Sequence, residues 1–345
     1  MNKVLIVGAT YSDNFGDMLF AKIMADYLSD KCEFRYYLLS DYAQKFIGKP
    51  KIADFSISEA EALVYMPGGF FGDRHDTSLY TTYLWFKRYF PIGLKFAFLR
   101  KPMLILGVGA GPCKYGVMKR LIKYICKRAN KVIVREDDSS DFLKTLGVDS
   151  MVTSDLAQTI TDYELPNVQL NCTKKKKMLV HINQNKRAAE KVLPAVQQFY
   201  EKHREDYNII VASDQVCPDD YAIYEKIKAF ATEDAAFYKY GDPLELCSVI
   251  KQSDAVVTYK LHVGIVACSY GKSVIAIPEH YKKVERYYRH IGYSERVLPL
   301  YKANGESILN MLEEYAEVPI QIPAVIIDSA YKNFDELKKY IEALG

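Results

Sequence analysis

Lys260 and His262 stand two positions apart in the run Thr258-Tyr259-Lys260-Leu261-His262-Val263-Gly264, which puts a basic residue and a histidine on one short segment. That pair suits the binding of a phosphate or carboxylate. Upstream, Ala255-Val256-Val257 reads as a short buried strand, and downstream Val263, Ile265, Val266 and Ala267 lead into a helix that Gly271 closes. Both side chains therefore fall on a strand-to-helix turn. In a parallel α/β sheet such turns lie at the carboxyl ends of the strands, where helix N-termini favour anions. The plainer account makes His262 a helix-start residue bonded to the backbone and Lys260 a solvated charge. Against it stands a second apolar strand, Ser273 to Pro278, which ends in Glu279-His280-Tyr281-Lys282-Lys283 and brings Glu279 and Lys282 to the same edge.

Three glycine-bearing turns begin to describe one cleft. Asn14-Phe15-Gly16-Asp17 follows the first apolar strand and opens a helix, with Asp17 expected as its N-cap and Gly16 allowing a close backbone approach. Pro67-Gly68-Gly69 follows an apolar strand ending at Met66, and Gly107-Val108-Gly109-Ala110-Gly111-Pro112 follows another ending at Leu106. Arg135 closes the strand 131–134 and is expected as a cleft arginine suited to bidentate recognition of carboxylate or phosphate; the alternative is a salt bridge to an adjacent acid. Pro112 stands where a dinucleotide fingerprint needs glycine, and the chain has no GxxxxGK[ST], HExxH or DxD, so neither a dinucleotide nor a metal is expected.

The elements that must position these residues follow from the pattern. Apolar strands at 3–7, 33–39, 62–66, 103–108 and 131–134 alternate with helical segments such as 17–28, as in a doubly wound parallel sheet. The pattern lapses over 164–177, which ends in four lysines, and resumes with strands at 178–182 and 208–212. An α/β chain of two Rossmann-like domains, 1–165 and 178–327, is expected, with an amphipathic helix in 328–345 packing back on the first. With 345 residues, 49% of them apolar, the chain can build two cores. Its seven cysteines form no CxxC pair, which argues against a disulfide framework and a zinc site. The opening strand lacks the apolar core of a signal peptide, and Lys95, Arg100 and Lys101 interrupt the most apolar stretch, so a cytoplasmic protein without a spanning segment is expected.

A net charge of +3 conceals an asymmetry: Lys87 to Lys131 holds twelve basic residues and no acidic one, leaving the other 300 residues at −9. Tyr83, Trp85, Phe86, Tyr89, Phe90, Phe96 and Phe98 lie in or just before it, the mixture expected where a protein meets anionic lipid. A nucleic-acid groove also combines such residues and ranks well below. The plain account is a helix such as 117–129 whose Val117, Leu121, Tyr124 and Ile125 face the core while its lysines face water.

In their order, these motifs resemble the polysaccharide pyruvyl transferase family over roughly Val4 to Ile291: the N-x-G-D turn at 14–17, Pro-Gly-Gly at 67–69, the glycine run ending at Gly111-Pro112, Arg-Glu-x-x-Ser at 135–139, and Asp155-Leu156-Ala157. Where the family usually shows Ser-Arg-Leu-His, this chain has Tyr259-Lys260-Leu261-His262, which keeps the charge and loses the planar fork. The resemblance implies two Rossmann-like domains facing across a cleft, as in glycosyltransferase type B. It implies transfer of the enolpyruvyl carbons of phosphoenolpyruvate to two hydroxyls of one sugar, giving a cyclic ketal and phosphate, with no cofactor. On that implication His262 is the acid or phosphate contact, and Asp17 and Glu279 are the candidates for base. Lys260 and Arg135 hold the two anionic groups, Lys282 adds a cation, and Asn14, Gly16, Gly69 and Gly109 shape the site. A galactose-type or N-acetylhexosamine-type acceptor fits, and the basic aromatic region adds the expectation of a polyprenyl-diphosphate carrier at the inner leaflet, in capsule or exopolysaccharide synthesis. Two other readings are a type B glycosyltransferase using a nucleotide sugar, with Glu279 or Glu285 on its ribose, and a carbohydrate-binding protein without catalysis.

Overall fold

The computed structural model describes residues 2–47, 53–73, 78–183, 185–217 and 219–345, with Tyr281 described in its backbone alone. The chain divides into two compact units, the first made of 1–13, 17–156 and 324–345, the second of 14–16 and 157–323. Each is a parallel α/β layer structure whose central strands are buried along their length, which is why runs such as 62–65, 103–110, 255–258 and 273–276 read as largely apolar.

Unit 1 holds strands β1 (Lys3–Val7), β2 (Glu33–Tyr36), β3 (Ala62–Tyr65), β4 (Gly68–Phe71), β5 (Met103–Ala110), β6 (Lys131–Val134) and β7 (Met151–Val152). Their order is β2-β1-β3-β5-β6-β7, with β4 also paired to β5, and every pairing is parallel. A helix from Leu79 to Phe98 buries Phe86, Tyr89, Phe90 and Phe96 in its core, and a second from Gly116 to Arg128 buries Met118, Ile122, Ile125 and Cys126. Val117 and Tyr124, expected on the core side of that second helix, are instead 55% and 39% exposed. The last helix, Ala324–Glu342, belongs to unit 1 and starts four residues before its amphipathic pattern is legible. Its buried Asn333 donates to Ser154 O at 3.0 Å and accepts from Thr153 Oγ1 at 3.1 Å, and Tyr340 donates to Leu63 O at 3.2 Å.

Unit 2 holds β8 (Lys176–His181), β9 (Tyr207–Ala212), β10 (Ala235–Tyr238), β11 (Ala255–Thr258) and β12 (Ser273–Ala276), in the order β10-β9-β8-β11-β12 and all parallel. The chain runs outward from β8 to β10, then crosses back to lay β11 on the other side of β8. Strand order thus reverses between β8 and β11, where Thr258 lies opposite His181. Open α/β sheets bind ligands at the carboxyl ends of the strands flanking such a reversal. The unit begins earlier than the expected linker at 164–177: Gln158 donates to Tyr287 Oη at 3.3 Å and Tyr270 to Ile160 O at 3.0 Å, tying the short helix Leu156–Asp162 to unit 2 side chains.

Candidate functional site

At the reversal point of unit 2, the carboxyl ends of β8, β9 and β11 converge on Asp214. This residue lies two positions past β9 and is buried. Its Oδ2 is 3.3 Å from Lys260 Nζ, its Oδ1 accepts from Asn183 Nδ2 at 2.8 Å, and His181 Nε2 approaches the same oxygen at 3.6 Å. Burial on its own would raise the carboxyl pKa. The Lys260 charge and the contacts from His181 and Asn183 outweigh it and hold Asp214 well below the usual carboxylate range. Burial likewise works against the Lys260 ammonium, but Asp214 and Tyr259 more than compensate, so its pKa is raised. Lys260 is therefore a fixed cation with about a third of its side chain open to solvent.

Local chain geometry explains how these groups meet. His181 Nδ1 lies 3.0 Å from Thr258 Oγ1, which also accepts the Lys260 amide at 3.1 Å, so the end of β11 is pinned before the helix Leu261–Ser269 begins. His262 is the second residue of that helix, and Gly16 lies against its ring: a Cβ built on Gly16 would fall 1.8 Å from His262 Nδ1. Phe15 N donates to Asp214 O at 2.9 Å, and its ring meets Tyr240 edge-on at 6.4 Å. The Asn14–Gly16 turn and the Lys260–His262 turn, far apart in sequence, thus form one surface around Asp214.

Asp220 adds a second kind of carboxyl to the cluster. It precedes the helix Tyr221–Ala231, yet its side chain makes none of the usual capping bonds, and among the described residues neither carboxyl oxygen has a hydrogen-bond partner at 1% exposure. Burial pushes its pKa up to about 7; Asp214 adds to the rise, while His181 and Lys260 oppose it. Asp220 thus holds a proton close to neutral pH while Asp214 does not, a separation of paired carboxyls of the kind acid–base chemistry uses. Tyr259, its ring 5.9 Å from that of His181, stays a donor because burial lifts its hydroxyl to about 12.

The remaining expected residues scatter. Glu279 is exposed and accepts from Asn185 Nδ2 at 2.9 Å, and Lys282 is exposed in the first turn of the helix Tyr281–His290. Asp17 is not the N-cap: the helix starts at Phe15, so Asp17 lies inside the first turn and within unit 1, and Asn14 precedes the helix. Gly69 lies in β4 rather than in a turn, and a Cβ there would meet nothing within 4 Å. Gly109, in β5, lies under Arg135, whose Nη2 would be 3.1 Å from an added Cβ.

Arg135 itself is not a cleft cation. It is 7% exposed and its guanidinium is held by Glu136 Oε2 and Asp155 Oδ2, both at 3.0 Å. Ser139 donates to Glu136 Oε1 and accepts the Ala110 amide at 2.7 Å, so the Arg-Glu-x-x-Ser motif and Asp155 form a buried network locking β5, β6 and the helix Asp137–Thr145 together. Asp214, Asp220, His181 and Asn183 are the residues that sequence reasoning missed: His181 ends β8, Asn183 and Asp214 each lie two positions past a strand, and Asp220 precedes the helix Tyr221–Ala231. Among the described residues no group of three or more His, Cys, Asp or Glu side chains is placed to hold a metal ion.

Comparison with known proteins places this geometry in context. Residues 14–281 match the family model of polysaccharide pyruvyl transferase. No curated protein matches the chain significantly in sequence. Among solved structures, a Listeria monocytogenes protein provisionally assigned as a UDP-N-acetylglucosamine 2-epimerase aligns over 99% of this chain and 97% of its own at a TM-score of 0.67 and 14% identity. The Staphylococcus aureus MnaA–UDP structure aligns over 100% and 98% at 0.63 and 13%. The Neisseria meningitidis UDP-GlcNAc 2-epimerase, solved with UDP-GlcNAc, aligns over 98% and 100% at 0.59 and 12%. At these identities the likeness concerns the fold: two Rossmann-like domains of the glycosyltransferase type B kind.

Proposed function

The chain belongs to the polysaccharide pyruvyl transferase family and is a transferase, and from that premise we propose that it forms a cyclic pyruvate ketal on a sugar, with phosphoenolpyruvate as donor. The observation that carries the reading is the position of Lys260 and His262 beside Asp214 at the strand-order reversal of unit 2. The carbon that receives the sugar hydroxyls becomes electrophilic only when the neighbouring methylene gains a proton, so the reaction needs an acid and cations for a phosphate and a carboxylate. His262 is the proposed acid. Lys260 and the amides opening the helix Leu261–Ser269 hold one anionic group, and Lys282 is the candidate for the other. Arg135 is reassigned to structure, because Glu136 and Asp155 already neutralise its charge.

Two acceptor hydroxyls lose protons in the reaction. One proton balances the gain at the methylene, and the other leaves with phosphate as the second oxygen closes the ketal ring. Asp17 and Glu279 remain proposed bases. Asp220 supplies the proton-holding group behind the cluster. The proposed acceptor is a galactose-type or N-acetylhexosamine-type unit of a capsule or exopolysaccharide precursor, on a polyprenyl carrier.

Thermal unfolding with phosphoenolpyruvate, inorganic phosphate and a panel of nucleotide sugars tests the donor without knowledge of the acceptor. A ligand at about a hundred times its Kd stabilises by about 2.7 kcal/mol. Phosphoenolpyruvate is expected to raise the melting temperature beyond phosphate, with the difference lost in His262→Ala and Lys260→Ala. A shift with a nucleotide sugar and none with phosphoenolpyruvate would replace this reading by glycosyl transfer.

A further inference from the structure

Unit 1 carries a surface that donor chemistry does not use. The helices Leu79–Phe98 and Gly116–Arg128 pack side by side, and outward from them project Leu79, Tyr80, Tyr83, Leu84, Phe98 and Val117, with Tyr80 at 69% and Phe98 at 79% exposure. On the first helix Tyr80, Leu84, Lys87, Pro91, Lys95 and Phe98 are all exposed and recur every three or four residues, so they form one stripe along it. Apolar side chains concentrated in this way mark an interaction surface.

Charge selects the occupant. Together the two helices hold eight Lys and Arg and no Asp or Glu, and Arg120, Lys123 and Lys127 are exposed on the second. A second copy of the chain docking here through a two-fold contact would set like charge against like. Single-stranded nucleic acid would use the cations and the tyrosine rings, but Leu79, Leu84 and Val117 offer it no stacking plane. A bilayer rich in anionic phospholipid uses both components: aliphatic and aromatic groups sink to the headgroup–acyl boundary while the amines and guanidinium groups meet phosphates. We propose that this two-helix face docks peripherally on anionic membrane. Among the described residues no helix is long and apolar enough to cross a membrane.

The proposal needs neither phosphoenolpyruvate nor an acceptor, so its failure and the failure of the donor reading are separable. The test is co-sedimentation of the whole protein with phosphatidylcholine vesicles and with vesicles containing about a third phosphatidylglycerol, at about 0.1 M and about 0.5 M salt. Binding is expected on the anionic vesicles and not on the neutral ones, weakening with salt. The triple variant Arg120→Gln, Lys123→Gln, Lys127→Gln should bind about a hundredfold more weakly, and Tyr80→Ser with Leu84→Ser at least about tenfold more weakly at both salt concentrations. All substituted positions are exposed, and circular dichroism confirms that each variant is folded. No sedimentation with anionic vesicles, variants that bind like the parent, or tighter binding to a single-stranded oligonucleotide than to vesicles would overturn it.

Discussion

Asp220 makes a quantitative demand on the pH dependence of stability. Its carboxyl is 1% exposed and without a hydrogen-bond partner among the described residues, and burial sets its folded pKa at about 7 against an ordinary value of 3.8. Between these values the folded chain keeps a proton that the unfolded chain has released. The folded state therefore binds more protons in that window, and stability falls as pH rises through it. From about pH 5 to about pH 8, integration gives a loss of about 2.6 kcal/mol from this one group. Asp220→Asn keeps the shape and removes the titration. Urea unfolding followed by circular dichroism, for both proteins at both pH values, isolates the term, because every other titrating group appears in both differences. The parent should lose about 2.6 kcal/mol more than the variant on going to the higher pH. Parallel losses in the two proteins would refute the reasoning. Such parallel losses would mean that His181 and Lys260 hold Asp220 ionised across the whole window.

Two further expectations follow from the same contacts. Gly16→Ala forces a methyl into the space of the His262 ring, 1.8 Å from Nδ1; overpacking of this kind costs about 1–3 kcal/mol, and the displaced imidazole should weaken phosphoenolpyruvate-dependent stabilisation at least about tenfold, read by ligand titration of the melting temperature. Arg135→Met leaves Glu136 and Asp155 buried without their cation and should cost about 3–5 kcal/mol in thermal or urea unfolding, while the folded fraction keeps its affinity for phosphoenolpyruvate. A variant of normal stability that no longer binds the donor would restore Arg135 to the site.

The parts of this architecture that rest on local pattern were legible in sequence, and those that rest on tertiary pairing were not. Buried parallel strands show as apolar runs, and a strand-to-helix turn shows where such a run gives way to a glycine-closed helix, so Lys260 and His262 could be placed on their turn. Asp214 gave no comparable sign, because an aspartate just past a strand is the ordinary residue of a turn and nothing in spacing joins it to Lys260. Arg135 misled for the same reason: one of its two partners, Asp155, lies beyond the two-residue strand β7. On the helix Gly116–Arg128, Val117, Leu121 and Tyr124 make one apolar stripe and Met118, Ile122 and Ile125 another. Periodicity alone does not say which faces the core, and the structure buries the second.

The last helix, Ala324–Glu342, has a consequence for how the chain comes into being. It returns to unit 1 after the whole of unit 2 has been laid down, and Asn333 and Tyr340 bond backbone carbonyls next to β7 and in β3. During synthesis the chain emerges at roughly 5–20 residues per second, so the early strands of unit 1 wait for their final partner while all of unit 2 is made. Unit 2 has its core strands in hand sooner and can close first. The half of the protein that begins the sequence is then the half that finishes folding last, and its β3–β5 layer stays accessible to chaperones through that interval.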